Sequence, residues 1–194
     1  MRISKADAEK NRARIVDVAA RILREQGIEG VGVDALAKAA GVTHGGVYSH
    51  FKSKDELAAA ALERALNVSK DEWGKLIEGK EGADALNQLI RSYVSRSHRD
   101  NPGIGCSITT LGPEAARGGK KLRETVARGV AGLIAEAEKA SSAQRNASVR
   151  EAAIANVAAM MGAIVMARAA ASDPALSDEI LKAVRRDLMA RTVE

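Results

Sequence analysis

The densest chemistry in the chain lies between positions 43 and 54, where Thr43, His44, Tyr48, His50 and Lys54 bring hydroxyls, imidazoles and an ammonium within twelve residues. Donors and cations of this kind suit contact with phosphates and base edges. They need a scaffold, and the surrounding sequence supplies one. Over residues 36–57 an apolar helix face, a glycine turn, a very short second helix and a lysine-flanked helix start follow one another. Gly41 makes the turn, Val42 anchors it, and Thr43 is placed to cap a helix running only from about 44 to 50. This order of parts lays a helix along a DNA groove.

Within that scaffold His44 is the candidate base-edge donor, and Thr43 is a candidate phosphate or base contact beside its capping role. Gly45 and Gly46 carry no side chain and let the backbone approach the groove, at about 1 kcal/mol each in helix propensity. Part of any specificity then rests on DNA shape. Lys54, beside the backbone donors of a helix start, forms a natural phosphate clamp; the plainer alternative is a solvated lysine.

The rest of the chain narrows the possibilities. Its 194 residues support one large or two small helical domains. Alanine is abundant, only three prolines occur, and no sustained alternation supports strands. Aromatics make up 2%, which argues against a stacking platform for single strands. Of the net charge of +5, residues 1–54 carry ten Lys or Arg against six Asp or Glu, a local balance of +4. The excess therefore coincides with the helix-turn-helix pattern, as phosphate contact requires. Arg2, Lys5, Arg12 and Arg14 add electrostatics early in the chain, with the N-terminus placed to reach a minor groove.

One cysteine builds no disulfide framework, and no second Cys or clustered His completes a metal site. No metal or other cofactor is expected. The N-terminus lacks an apolar signal segment, and the apolar run 152–167, interrupted by Asn156, falls short of the roughly 20 residues of a membrane span. The expected setting is the cytoplasm, with no membrane partner.

Helical periodicity divides the chain into about nine helices, giving an all-α fold with an N-terminal three-helix domain over residues 1–53 and a helical domain over 54–194. The first helix runs from about 6 to 26 with Ile15, Val18, Ala19, Ile22 and Leu23 inward, and Gly27 ends it. The second spans 33–40, and Val47 and Phe51 join its core. Ser53 and Glu56 form a capping box opening a long fourth helix, which reaches roughly 35 Å and acts as the mechanical connector. A fifth carries a stripe from Leu86 to Ser97, and a sixth starts near Cys106 and bends at Gly112-Pro113. The seventh covers about 120–140. Ser148 and Glu151 read as a capping box for the eighth, lasting to about 171, and Ser177 as the cap of the ninth.

The stretches Val33-Asp-Ala-Leu-Ala-Lys-Ala-Ala-Gly-Val42 and Gly45-Gly-Val-Tyr-Ser-His-Phe-Lys-Ser-Lys-Asp-Glu-Leu57 resemble the TetR/AcrR family of bacterial transcriptional regulators. The likeness is dense over residues 10–66; beyond it only helix number and order match, with one local exception at residues 105–116. The resemblance implies a homodimer with an N-terminal helix-turn-helix and a C-terminal domain holding an effector-binding pocket and the dimer interface. It implies that Lys54, Tyr48 and His50 touch phosphates, although Tyr48 as a packing residue and His50 as a helix-end cap remain open. The sequence departs from the family at Val31-Gly32, where paired threonines are common and one caps the second helix.

Trp73, Tyr93, Cys106, Thr109, Thr110 and Met161, with Met160, are candidate pocket residues between the fourth and eighth helices; plain core packing is the alternative for each. Cys106 is either a small buried hydrophobe or a sensor thiol whose thiolate is favoured near a helix start and Arg96, His98 and Arg99. For the dimer, Ile154, Val157, Ala158, Met161 and Val165 on the eighth helix and Val184 and Leu188 on the ninth give more apolar surface than one internal face needs, so a four-helix bundle across a two-fold is expected. The expected partners are double-stranded palindromic operator DNA, a small-molecule effector and a second copy of the chain. The expected activity is that of a ligand-responsive repressor. An enzyme using Cys106 lacks a positioned base beyond His98, so no catalytic residue is expected. The rivals are an electrophile- or redox-sensing repressor acting through Cys106, and an architectural protein that coats DNA without an effector.

Overall fold

A computed structural model describes residues 4–141 and 147–191, and every regular element among them is an α-helix. Helix α1 (Lys5–Gln26) starts where the Ser4 hydroxyl accepts from the Asp7 N–H. It ends at Gly27, whose φ of 82° lies in the region open to glycine, as the N–H bonds back to the Leu23 carbonyl at 2.8 Å. Helix α2 (Val33–Ala39) and the five-residue α3 (His44–Tyr48) complete a three-helix unit around Ile15, Leu23, Leu36, Val47 and Phe51, none more than 2% exposed. Helix α3 is shorter than expected, yet Ser49, His50 and Phe51 still donate back to Gly45 and Val47, so the turn continues through Phe51.

Helix α4 (Lys54–Ile77) follows immediately, 24 residues long and thus about 36 Å. Its capping box is shifted by one residue. Ser53 Oγ accepts from the Glu56 N–H at 3.1 Å as expected, whereas Glu56 Oε2 reaches past the cap to the Lys52 N–H at 2.8 Å. Its inward face, Leu57, Ala61, Leu62, Ala65, Leu66, Ser69, Trp73 and Ile77, is buried, and Leu76 is half-buried.

Helix α5 (Gly82–Tyr93) is shorter than its stripe predicts. The chain leaves the helix at Val94 (φ −84°, ψ 71°) and restarts as α6 (Arg96–Asp100), capped by Ser95, so Ser97 is exposed and the described residues hold ten helical segments rather than nine. Helix α7 (Ile108–Arg117) runs unbroken with Pro113 inside it. The missing proline N–H denies the Thr109 carbonyl its helical donor, but the flanking turns hold the helix together. Helices α8 (Lys120–Ser141), α9 (Ala147–Ala169) and α10 (Pro174–Ala190) complete the chain.

Two expected caps are corrected. Ser148 lies inside α9, whose described part already begins at Ala147. Asp173, not Ser177, caps α10 by accepting from the Leu176 N–H at 3.1 Å, with Pro174 opening the helix. Ser177 is buried one turn in and donates to the Ala167 carbonyl at 2.7 Å.

Packing is organised around α4 and α9. Helix α4 lies against α8 and α1, and α9 lies between α8 and α10. Helix α9 has 23 residues and a central mean hydropathy of 1.6, long and apolar enough by length and composition to cross a membrane, contrary to the short run read from sequence. It behaves instead as a core helix on one side: Ala153, Val157, Met160, Ala163, Ile164 and Ala167 are buried against its neighbours. The opposite side exposes Ile154, Val165 and Met166.

Candidate nucleic-acid interface and the cleft behind it

The α2–α3 turn is built from backbone hydrogen bonds. The Val42 N–H donates to the Ala37 carbonyl at 3.0 Å and the Gly41 N–H to Lys38 at 3.1 Å, the paired pattern of a Schellman stop, with Gly41 at φ 64°. Thr43 then caps α3, its Oγ1 accepting from the Gly46 N–H at 3.0 Å. Turn and cap together fix the direction of α3 with respect to α2.

His44 and Tyr48 stand exposed on one side of α3, their rings 4.9 Å apart. The His44 Nδ1 contacts the Asp34 carboxylate from the first turn of α2. Gly45 is exposed, and a Cβ there would meet nothing within 4 Å; one at Gly46 would sit 3.2 Å from Thr43 Oγ1. Glycine at 46 thus serves the cap, whereas Gly45 leaves the surface open for close approach. His50 is half-buried beside Phe51, and Lys54 forms the first residue of α4, half-buried behind the Ser53 cap. Thr43, His44, Gly45 and Tyr48 therefore share α3 and its cap, and Lys54 opens the helix that follows. Arg12 is placed differently from expectation: its guanidinium stacks over the Phe51 ring at 5.0 Å. Arg2 lies outside the described residues. Gly32 caps α2 without a side-chain bond, as the absence of a threonine there predicts.

A cleft of about 410 Å³ opens beside the other end of α1, bordered by Trp73 on α4, Tyr93 at the end of α5, His98 on α6 and the 104–106 segment. The Trp73 and Tyr93 rings meet edge-on at 5.6 Å, and Tyr93 meets His98 at 4.3 Å. His98 is fixed in one tautomer. Its Nε2 accepts from the Cys106 N–H at 2.9 Å, so the proton sits on Nδ1, which donates to the Tyr93 carbonyl at 2.8 Å. Burial lowers its pKa, partly offset by that carbonyl.

Of the six expected pocket residues, Trp73, Tyr93 and Cys106 border the cleft. Thr109, Thr110 and Met161 do not. Thr109 turns toward α9, donating to the Cys106 carbonyl at 2.7 Å and accepting from Arg168 at 3.0 Å, and Thr110 bonds the Ser107 carbonyl. Met161 is half-buried on the far side of α9, and Met160 is fully buried core. Cys106 lies two residues before α7 and is 4% exposed, as a small buried hydrophobe would be; burial pushes its thiol pKa up, against the alternative of a thiolate near a helix start. Burial likewise raises the Tyr93 phenol well above its usual value, and its hydroxyl lies near the thiol without a well-formed hydrogen bond.

On the expected dimer face, Ile154, Ala158 and Val165 are exposed and Met161 and Val184 half-buried, whereas Val157 and Leu188 are 3% and 1% exposed. The latter two fill the chain's own α8–α10 core and have no surface left for a second copy. Sequence reasoning missed three connections. Arg24 on α1 donates to the Gly105 carbonyl at 3.2 Å, Glu114 on α7 accepts from the Ile28 N–H at 2.6 Å, and Arg168 ties α9 to the His98 and Arg99 carbonyls. They join residues 69 to 86 positions apart, and no local pattern marks them.

A short capped helix presented by a glycine turn and braced by a three-helix core is the helix-turn-helix arrangement of DNA-binding domains. Residues 15–61 match the family described as "Bacterial regulatory proteins, tetR family". It is 45% identical over 91 residues to the HTH-type transcriptional regulator AcrR of Shigella flexneri, covering 45% of this chain and 40% of that protein. It is 26% identical over 98 residues to an HTH-type transcriptional regulator of Staphylococcus aureus (strain USA300), covering 50% and 53%. The chain thus spans about half the length of the curated relatives it matches. A solved TetR-family regulator from Cytophaga hutchinsonii shares the fold over 99% of this chain and 98% of its own, with a TM-score of 0.76 at 23% identity.

Proposed function

We propose that this chain is a homodimeric, DNA-binding transcriptional regulator that represses from a palindromic operator and is released by a small-molecule effector. The observation that carries the reading is the join between the two ends of α1. One end lies against the helix-turn-helix unit, with Arg12 over the Phe51 ring; the other is tied through Arg24 to Gly105, in the wall of the cleft. A molecule entering between Trp73 and the 104–106 segment displaces that wall, and α1 and α4 carry the displacement to the tip. A coupling of about 1–3 kcal/mol gives a 5- to 150-fold change in operator affinity. Ile154, Ala158, Met161 and Val165 supply the dimer contact, which sets the spacing of two tips across successive turns of DNA. Such a regulator acts in the cytoplasm, where its DNA is. The cleft favours this over a DNA-coating protein without an effector, and the buried, raised thiol disfavours Cys106 as the primary sensor.

The test is selection of bound duplexes from a random library, followed by compound screening against the recovered site. A palindromic consensus bound by a dimer and released by a compound that quenches Trp73 is expected. Protection without sequence preference, or a monomer on DNA, overturns the reading.

A further inference from the structure

We propose that Asp34 is a specificity-positioning residue: by holding His44 through Nδ1 it leaves Nε2 as a fixed hydrogen-bond acceptor, which selects cytosine or adenine at one base of each half-site. The inference rests on the DNA-binding reading above. A carboxylate only accepts hydrogen bonds, so the Asp34–His44 contact places an imidazole proton on Nδ1. In the neutral ring, Nε2 is then an acceptor rather than the donor that sequence suggested for His44. Two neighbours orient the ring. Asp34 reaches it from α2 and the Tyr48 ring lies against it from within α3 at 4.9 Å.

Its neighbours leave the reading to it. The Thr43 hydroxyl is engaged in capping Gly46, and Gly45 and Gly46 have no side chains. The His44 side chain is 55% exposed, so its free nitrogen is open to a groove. In the major groove, cytosine N4 and adenine N6 offer donors, whereas guanine O6 and N7 and thymine O4 offer acceptors. A fixed acceptor distinguishes these two sets. An imidazole without Asp34 changes tautomer freely and accepts or donates as the base requires, so it distinguishes them poorly.

The experiment is random-duplex selection at neutral pH with the full-length wild type and with Asp34→Ala, Asp34→Asn and His44→Ala, each checked for helicity by circular dichroism. Wild type is expected to prefer C or A at one position per half-site by roughly five- to tenfold, in the range of single mismatches. Asp34→Ala and His44→Ala should both flatten that position and leave the others unchanged. Asp34→Asn, which keeps an acceptor for Nδ1–H but removes the charge, should retain most of the preference. If Asp34→Ala changes affinity equally at every position, or Asp34→Asn behaves like Asp34→Ala, Asp34 acts as a bare charge and the proposal fails while the regulator reading stands. A wild type that enriches G or T at the position lost in His44→Ala also refutes it. Failure of wild type to enrich any sequence removes both readings together.

Discussion

The tip around α3 and the cleft beside α6 both concentrate polar side chains, and they are held in different ways. At the tip the partners are near in sequence: Thr43 with Gly46, Ser53 with Glu56, and Asp34 with His44 only ten residues away. Around the cleft short-range bonds such as Cys106 to His98 are joined by distant ones, with Arg168 and His98 separated by 70 residues and Arg24 and Gly105 by 81. The tip leaves its groups in water, ready for a large polyanion. The cleft buries them, and the pKa of Cys106 and Tyr93 rises while that of His98 falls. The exposed tip is thus specified locally, whereas the buried cleft depends on contacts that only the assembled fold supplies.

The largest effect expected from breaking this contrast lies at the core under the tip. Phe51 is 1% exposed and is the only phenylalanine in the chain, so Phe51→Ala should destabilise by about 3–5 kcal/mol, read as an early unfolding step of the N-terminal helices in denaturant. An unchanged midpoint would mean that the tip does not rely on its own core. The junction comes next. Glu114→Ala leaves the Ile28 N–H, bonded at 2.6 Å, without its acceptor, at about 1–3 kcal/mol, while Glu114→Gln keeps an acceptor and should cost less. Equal losses in the two variants would point to packing rather than the hydrogen bond.

The smallest effect belongs to the cleft and is a dependence on pH. The folded-state pKa of His98 is depressed, chiefly by burial, below its ordinary 6.5. Well above 6.5 neither folded nor unfolded chain binds this proton, so His98 then contributes no slope. As pH falls below that value the unfolded chain takes it up first, and stability drops by at most about 1.4 kcal/mol per pH unit until the folded pKa is reached. Thermal unfolding of wild type and His98→Gln between neutral and mildly acidic pH should show this slope only in wild type.

How far the sequence was legible follows the same division. The boundaries at Gly27, Gly41, Thr43 and Ser53 were readable because a cap or a positive-φ glycine is chosen by its nearest neighbours. Ser177 misled because Asp173, four residues earlier, satisfies the same backbone donors and Pro174 fixes the first turn. Along α9 apolar residues surround the helix, so periodicity gives no single inward face; Val157 and Ile154 look alike in sequence, yet one is 3% and the other 43% exposed. Asp34 carried no signal, since its meeting with His44 depends on the angle at which α2 and α3 cross.

By itself the sequence determined the helical class, the helix-turn-helix pattern and the positive charge of the first 54 residues, because each rests on short-range hydrogen bonding or on composition. Only the tertiary structure decided which face of α9 is left open, that Cys106 is shielded, and that His98, Arg168 and Arg24 converge on one wall. Those outcomes depend on which distant segments close on one another. Burial, and with it protonation and access, is a property of that closure rather than of any stretch of chain.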